Sequence, residues 1–172
     1  MSKSGPARDD ARTALPERAF REALSEFATG VTIITTRDAE RYVGFTANSF
    51  NSVSLDPPLV LWSLSRAANS HLAFEQCERY AINVLSAGQV GLARRFSRPH
   101  ADRFDGVDYT TGWSGAPLLA GAVAWFECRH FSWQPIGDHT LFVGEVVACT
   151  RTQGAPLVFH HSRFKGAGGM IR

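Results

Sequence analysis

From Val31 onward the chain offers one extended segment after another, with no regular alternation of strand and helix. A parallel pair of strands needs a connection of about a dozen residues or more, usually helical, whereas antiparallel neighbours need only a short turn. That property disfavours a doubly wound parallel sheet. It favours a mainly β protein, an antiparallel barrel with peripheral helices. The run Val31-Thr32-Ile33-Ile34-Thr35-Thr36 is dense in β-branched residues, which fit a pleated, half-buried surface. Arg37-Asp38-Ala39-Glu40 makes a polar turn, and residues 41–46 return as the second arm of a hairpin. Residues 59–64, 79–85, 123–133, 140–152 and 157–160 are the remaining strands.

Three helices are expected. One opens at Pro16 and carries Ala19, Phe20, Ala23, Leu24, Phe27 and Ala28 at helical spacing, ending at Thr29-Gly30. A second is capped by Asn69 or Ser70 and runs to about Gln76. A third starts at the capping box of Ser86 and Gln89 and ends near Phe96. Residues 97–122 are rich in loop formers yet hold Phe104, Tyr109 and Trp113, which must pack somewhere or line something.

A chain of 172 residues fits one domain with a sizeable core, placed here at 16–165 between flexible tails at 1–15 and 166–172. The net charge of +2, with its cations scattered, gives no electrostatic footprint for nucleic acid. No apolar run approaches the roughly 20 residues of a membrane span. The N-terminus lacks a signal-peptide core, so a cytoplasmic location is expected. Cys77, Cys128 and Cys149 are odd in number and far apart, which suggests neither a disulfide framework nor a CxxC metal site.

Polar side chains that could hold a ligand collect in two places. Thr46, Ala47, Asn48, Ser49 and Ser52 lie in a stretch of small residues that lets a ligand approach the backbone. Ser63, Ser65, Arg66, Asn69 and Ser70 lie beyond the next strand, one strand length away, roughly 20 Å at most. A phosphate at the second place would meet hydroxyls, a helix start and a cation. An ordinary Ser/Asn-rich loop and a plain helix cap fit the same residues. GxGxxG and GxxxxGK[ST] are absent, so a dinucleotide would need another mode of binding, and no GxSxG elbow suggests a hydrolase. His139, in the turn Gly137-Asp138-His139, could project into a groove and orient a ligand or move a proton. His160 and His161, as neighbours on a strand, should point to opposite faces, so no metal site is expected.

Several segments, taken in order, resemble the flavin reductase-like family, most closely the short-chain NAD(P)H:flavin oxidoreductase components of two-component flavin-dependent monooxygenases. They are Phe27-Ala28-Thr29-Gly30-Val31-Thr32, Gly44-Phe45-Thr46-Ala47-Asn48-Ser49-Phe50, Ser52-Val53-Ser54-Leu55-Asp56-Pro57-Pro58, Tyr80-Ala81-Ile82-Asn83-Val84-Leu85, Gly115-Ala116-Pro117-Leu118-Leu119, Gly137-Asp138-His139-Thr140-Leu141-Phe142 and Pro156-Leu157-Val158. The resemblance implies a split-barrel FMN-binding fold of Greek-key-like antiparallel strands, usually a homodimer. It places the flavin, FMN or FAD, along residues 46–49 and at the strand end Trp62, Ser63, Leu64 and Ser65. Ser52, Arg66, Asn69 or Ser70 would face the phosphate, and His139 would approach the nicotinamide of NADH or NADPH. Asn48 stands where many relatives carry serine. The implied activity is reduction of flavin for a partner monooxygenase. The alternatives are an enzyme that keeps its FMN and reduces a ferric chelate or corrinoid, and a non-catalytic flavin or electron carrier.

Overall fold

The computed structural model describes residues 15–39, 41–99 and 102–166. All but Leu15 and Gly166 of the two expected tails lie outside the described residues. The elements run α1 (Glu17–Ser25), β1 (Thr29–Gly30), β2 (Thr32–Asp38), β3 (Arg41–Ala47), β4 (Asn51–Leu55), β5 (Pro58–Ser65), α2 (His71–Gln76), β6 (Arg79–Val84), α3 (Val90–Phe96), β7 (Tyr109–Thr111), β8 (Pro117–Leu119), β9 (Ala124–Ile136), β10 (His139–Arg151), β11 (Leu157–His160) and β12 (Arg163–Gly166). A single 3-10 turn, Ala87–Gln89, precedes α3. The protein is mainly β and antiparallel throughout. None of the described helices is long and apolar enough to cross a membrane.

Seven strands form the main sheet in the order β3-β2-β6-β9-β10-β5-β4. The run at 32–36 has no alternation because both of its faces are covered. Ile34 packs with Phe45, Trp62, Tyr80 and Phe142 on one side, while Ile33 packs with Leu85, Ala93, Phe96 and Leu157 on the other. Successive side chains therefore enter two separate apolar clusters. Phe45 of β3, at one end of the strand order, and Trp62 of β5, next to the other end, have ring centroids only 5.5 Å apart, so the sheet curls back on itself. The edges β3 and β4 are joined in sequence by residues 48–50 alone.

Asn83, fully buried on β6, pins a loop to this sheet. Its Oδ1 accepts from Leu119 N–H at 2.7 Å, and its Nδ2 donates to Ile33 O at 3.0 Å. Gln89 Oε1 accepts from Ser86 N–H at 3.0 Å, the back-reaching half of the expected capping box.

The elements depart from the sequence expectations at several points. The first helix stops at Ser25, because Thr29 and Gly30 pair with Phe159 and Val158 and the ladder captures the residues that were to end the helix. Its apolar side chains Phe20, Leu24 and Phe27 are exposed, and no residue of α1 is buried. Residues 51–55, read as loop, form edge strand β4 against β5. The turn between the two long strands shrinks to Gly137 and Asp138, with His139 paired to Ile136 as the first residue of β10. His160 and His161 do not point to opposite faces as expected of strand neighbours. His161 is not in a strand but in the β11–β12 turn at φ 49°, and its ring stacks on that of His160 with centroids 3.9 Å apart.

Candidate functional site

The two polar clusters are brought together by strand register. In the β5–β10 ladder His139 stands opposite Ser65 and Thr140 opposite Leu64. Arg66 N–H then donates to Asp138 O at 3.0 Å, extending the contact past the end of the ladder. From the other direction Ser49 reaches the same strand. Its hydroxyl accepts from Ser63 N–H at 2.9 Å and donates to Ser63 O at 3.2 Å. Asn48 and Ser49, Ser63 and Ser65, Arg66 and His139 are thereby tied into one neighbourhood, held by backbone geometry on three elements.

Within it the polar groups differ in availability. Asn48, Arg66 and His139 are exposed, while Ser49, Ser63 and Ser65 are half-buried. Ser65 Oγ accepts from Ala67 N–H at 3.3 Å, which turns the chain out of β5. His139 Nδ1 lies 2.8 Å from Asp138 Oδ1, and this hydrogen bond holds the fully exposed Asp138 carboxyl below its ordinary value. The contact fixes the ring's Nδ1 side and leaves Nε2 to face outward.

Other residues expected at a ligand site are placed differently. Trp62 is fully buried and stacked on Phe142, with centroids 4.2 Å apart, and Leu64 is buried as well. Both side chains belong to the core and can offer a ligand only their backbone. Ala47 also points inward, and its carbonyl accepts from Thr32 Oγ1 at 3.0 Å. The hydroxyl of Thr46 faces the opposite side of β3, where it donates to Ala93 O of α3 at 2.7 Å. Ser52 is exposed on β4 opposite Val60. Ser70 occupies the N-cap position of α2 without a side-chain capping bond. Nearby, His71 Nε2 lies 2.8 Å from Thr140 Oγ1 and ties α2 to β10.

Asn69 and Ser70 line a groove of about 810 Å³ together with Tyr42 and Gly44 of β3 and with Pro99, Asp102, Phe104 and Tyr109. Here the aromatic residues of the long loop find their place: Phe104 and Tyr109 both pack on Tyr42. Arg103 spans the junction, donating to Gly44 O at 2.7 Å and to Arg98 O at 3.0 Å, and its burial lowers the guanidinium pKa. Sequence reasoning missed Arg103 as a groove residue. The one available signal was a loop carrying more aromatic residues than a solvated segment needs. Trp113 lies elsewhere, under the Arg79 guanidinium at 4.6 Å.

A model of the "Flavin reductase like domain" family matches residues 24–168. The chain belongs to that family. Among this flavin reductase's relatives is an "FMN reductase (NADH) SmoA" from Agrobacterium fabrum, 46% identical over 147 residues, covering 86% of this chain and 84% of the relative. The reductase subunit HsaB of a flavin-dependent monooxygenase from Rhodococcus jostii is 37% identical over 157 residues, covering 91% and 80%. Among solved structures, the Streptomyces globisporus NADH:FAD oxidoreductase SgcE6, in complex with NAD and FAD fragments, superposes with a TM-score of 0.86 at 42% identity. The match covers 91% of this flavin reductase and 96% of that chain.

Proposed function

We propose that this chain is an NADH:flavin oxidoreductase that reduces FMN or FAD and releases the reduced flavin to a flavin-dependent monooxygenase. The observation that carries the reading is the register of β10 on β5, which sets His139 directly beside Ser65 and Arg66. One neighbourhood thus offers hydroxyls and backbone groups for a flat heterocycle, a cation for its phosphate and an imidazole for a second ligand. The neighbourhood suits a flavin that must leave again. Its one basic side chain at the flavin end, Arg66, is exposed rather than clamped in the interior.

Flavin and nicotinamide supply the hydride chemistry between them when both are bound. The protein's part is alignment. Backbone and hydroxyl groups at Asn48, Ser49, Ser63 and Ser65 hold the ring system, with Ser52, Arg66, Asn69 and Ser70 toward the phosphate end. His139, anchored by Asp138, orients the carboxamide of the nicotinamide, so that the two rings meet in a reactive geometry. Thr46, Ala47, Trp62 and Leu64 shape the wall through their backbone. Residues 16–165 act as one unit with the split-barrel architecture. A second copy covers the exposed face of α1, giving a homodimer. The reaction belongs in the cytoplasm, where reduced nicotinamide is made.

The test is steady-state oxidation of NADH and NADPH against FMN, FAD and riboflavin, followed by anaerobic mixing with excess flavin. Rapid bleaching over many turnovers is expected. Bleaching that stops after one turnover, or none at all, overturns the proposal. His139→Asn should raise the KM for NADH more than it weakens flavin binding. Equal losses in both would remove His139 from the nicotinamide side.

A further inference from the structure

Three potential metal ligands meet where the first helix ends and the last hairpin turns. Glu26 is the residue after α1, His160 ends β11, and His161 begins the β11–β12 turn. His161 Nε2 lies 2.9 Å from Glu26 Oε2, and the rings of His160 and His161 stack with 23° between their planes. One donor atom from each of the three residues lies within 4.8 Å of the other two.

The backbone that produces this arrangement is strained. His161 and Ser162 sit at φ 49° and 56°, the two positive values of a hairpin turn that asparagine and glycine normally occupy. Holding a residue other than glycine there costs on the order of 1 kcal/mol or more. The strain turns the His161 ring onto the same side as His160, where an extended chain would have separated them. His161 N–H also donates to Ser25 O at 3.0 Å, locking the turn against the end of α1.

The geometry points to a divalent-cation site formed by Glu26, His160 and His161, which takes Zn²⁺ or a similar late first-row ion and clamps α1 to the β11–β12 hairpin. Two imidazole nitrogens and one carboxylate oxygen are a borderline donor set, suited to Zn²⁺, Co²⁺, Ni²⁺ or Cu²⁺ and poorly suited to Mg²⁺ or Ca²⁺. The three residues leave a fourth position for water. Lys165 Nζ lies 3.2 Å from His160 Nδ1, so His160 binds the ion through Nε2 or the exposed lysine swings into solvent. The site uses none of the residues assigned to flavin or nicotinamide.

The test uses the full chain stripped with chelator and titrated with Zn²⁺ by calorimetry and with Co²⁺ by its visible absorption. One equivalent should bind, and the melting temperature should rise with free Zn²⁺. His161→Asn keeps a residue tolerant of positive φ, while His160→Gln and Glu26→Gln leave that turn residue untouched. Each should weaken binding by at least about 100-fold, beyond the loss seen when only a supporting residue is removed. His139→Asn should leave the affinity unchanged. Absence of saturable binding overturns the proposal, and so does binding that all three substitutions leave intact.

Discussion

Tyr80 and Gly144 make a quantitative test of the core beneath the site. Tyr80 is fully buried on β6, and its hydroxyl has no hydrogen-bond partner among the described residues. Burial raises its pKa far above the tyrosine range, so the hydroxyl stays protonated at every working pH. The Trp62 indole N–H, also unpaired, lies close enough to oppose that shift without reaching hydrogen-bond geometry. Across from Tyr80, Gly144 of β10 leaves the space the hydroxyl needs. A Cβ at position 144 would overlap that oxygen, with the ring carbon Cζ at 2.8 Å and Cys128 Cβ at 3.1 Å. Gly144→Ala should therefore cost about 3 kcal/mol, the upper end for overpacking by one methyl group. Tyr80→Phe removes a buried polar group that nothing satisfies and should stabilise the protein by about 1 kcal/mol. In the double variant the first clash is gone while the ring carbon and Cys128 remain. The two substitutions should thus couple favourably by at least about 1 kcal/mol. Urea denaturation at unchanged m-value measures all three, and 3 kcal/mol corresponds to roughly 6–12 °C in Tm for a chain of this size. Additivity within about 0.5 kcal/mol would refute the contact. A Tyr80→Phe variant that loses more than about 1 kcal/mol would show that the hydroxyl has a partner after all.

Thr46→Val removes the donor to Ala93 O and leaves that carbonyl short of a bond. It should cost about 1–2 kcal/mol in thermal denaturation and change flavin affinity by less than about threefold. Asp138 should titrate below 3.8 when followed by carboxyl carbon NMR, and His139→Asn should return it toward 3.8. Its folded value is the depressed one, so the contact's contribution to stability is present above the unfolded value. That contribution is lost as pH falls through the folded one. Burial pushes the Cys77 thiol up to about 11 and Cys128 to about 12, while Cys149 is exposed. A disulfide reagent at pH 8 should modify one thiol quickly, and the other two only after denaturant is added.

The parts of the fold legible in sequence were those where burial wrote a strong pattern. The β-branched run of β2, the apolar runs of β5 and β6, and the back-reaching Gln89 each carry a local signal that packing reinforces. Strand β4 carries none, because Asn51, Ser52 and Val53 are all exposed at a sheet edge and its identity comes from backbone pairing with β5. Strand β1 has two residues, and a partner more than 120 positions away decides its conformation. Within the site, which residues belonged together could be read in part. Which way their side chains face could not. Thr46 and Ser49 are alike on paper, yet one hydroxyl is claimed by α3 and the other by β5. The turn at His161 was illegible for a different reason, since positive φ is uncommon outside glycine and a histidine followed by serine carries only a weak signal for it.

The histidine at the start of β10 owes its position to a ladder rather than to a flexible loop. Side chains on a strand alternate, so a slip of one residue would throw the imidazole to the far side of the sheet, and no smaller displacement along the strand is available. Its location is therefore quantised. On the proposed role of His139, a change of nucleotide preference in this scaffold would come from replacing neighbours such as Ser65, Arg66 and Asp138 around a fixed ring. Shifting the ring itself requires inserting or deleting a residue in β10, against the unbroken pairing of residues 139–145 with β5.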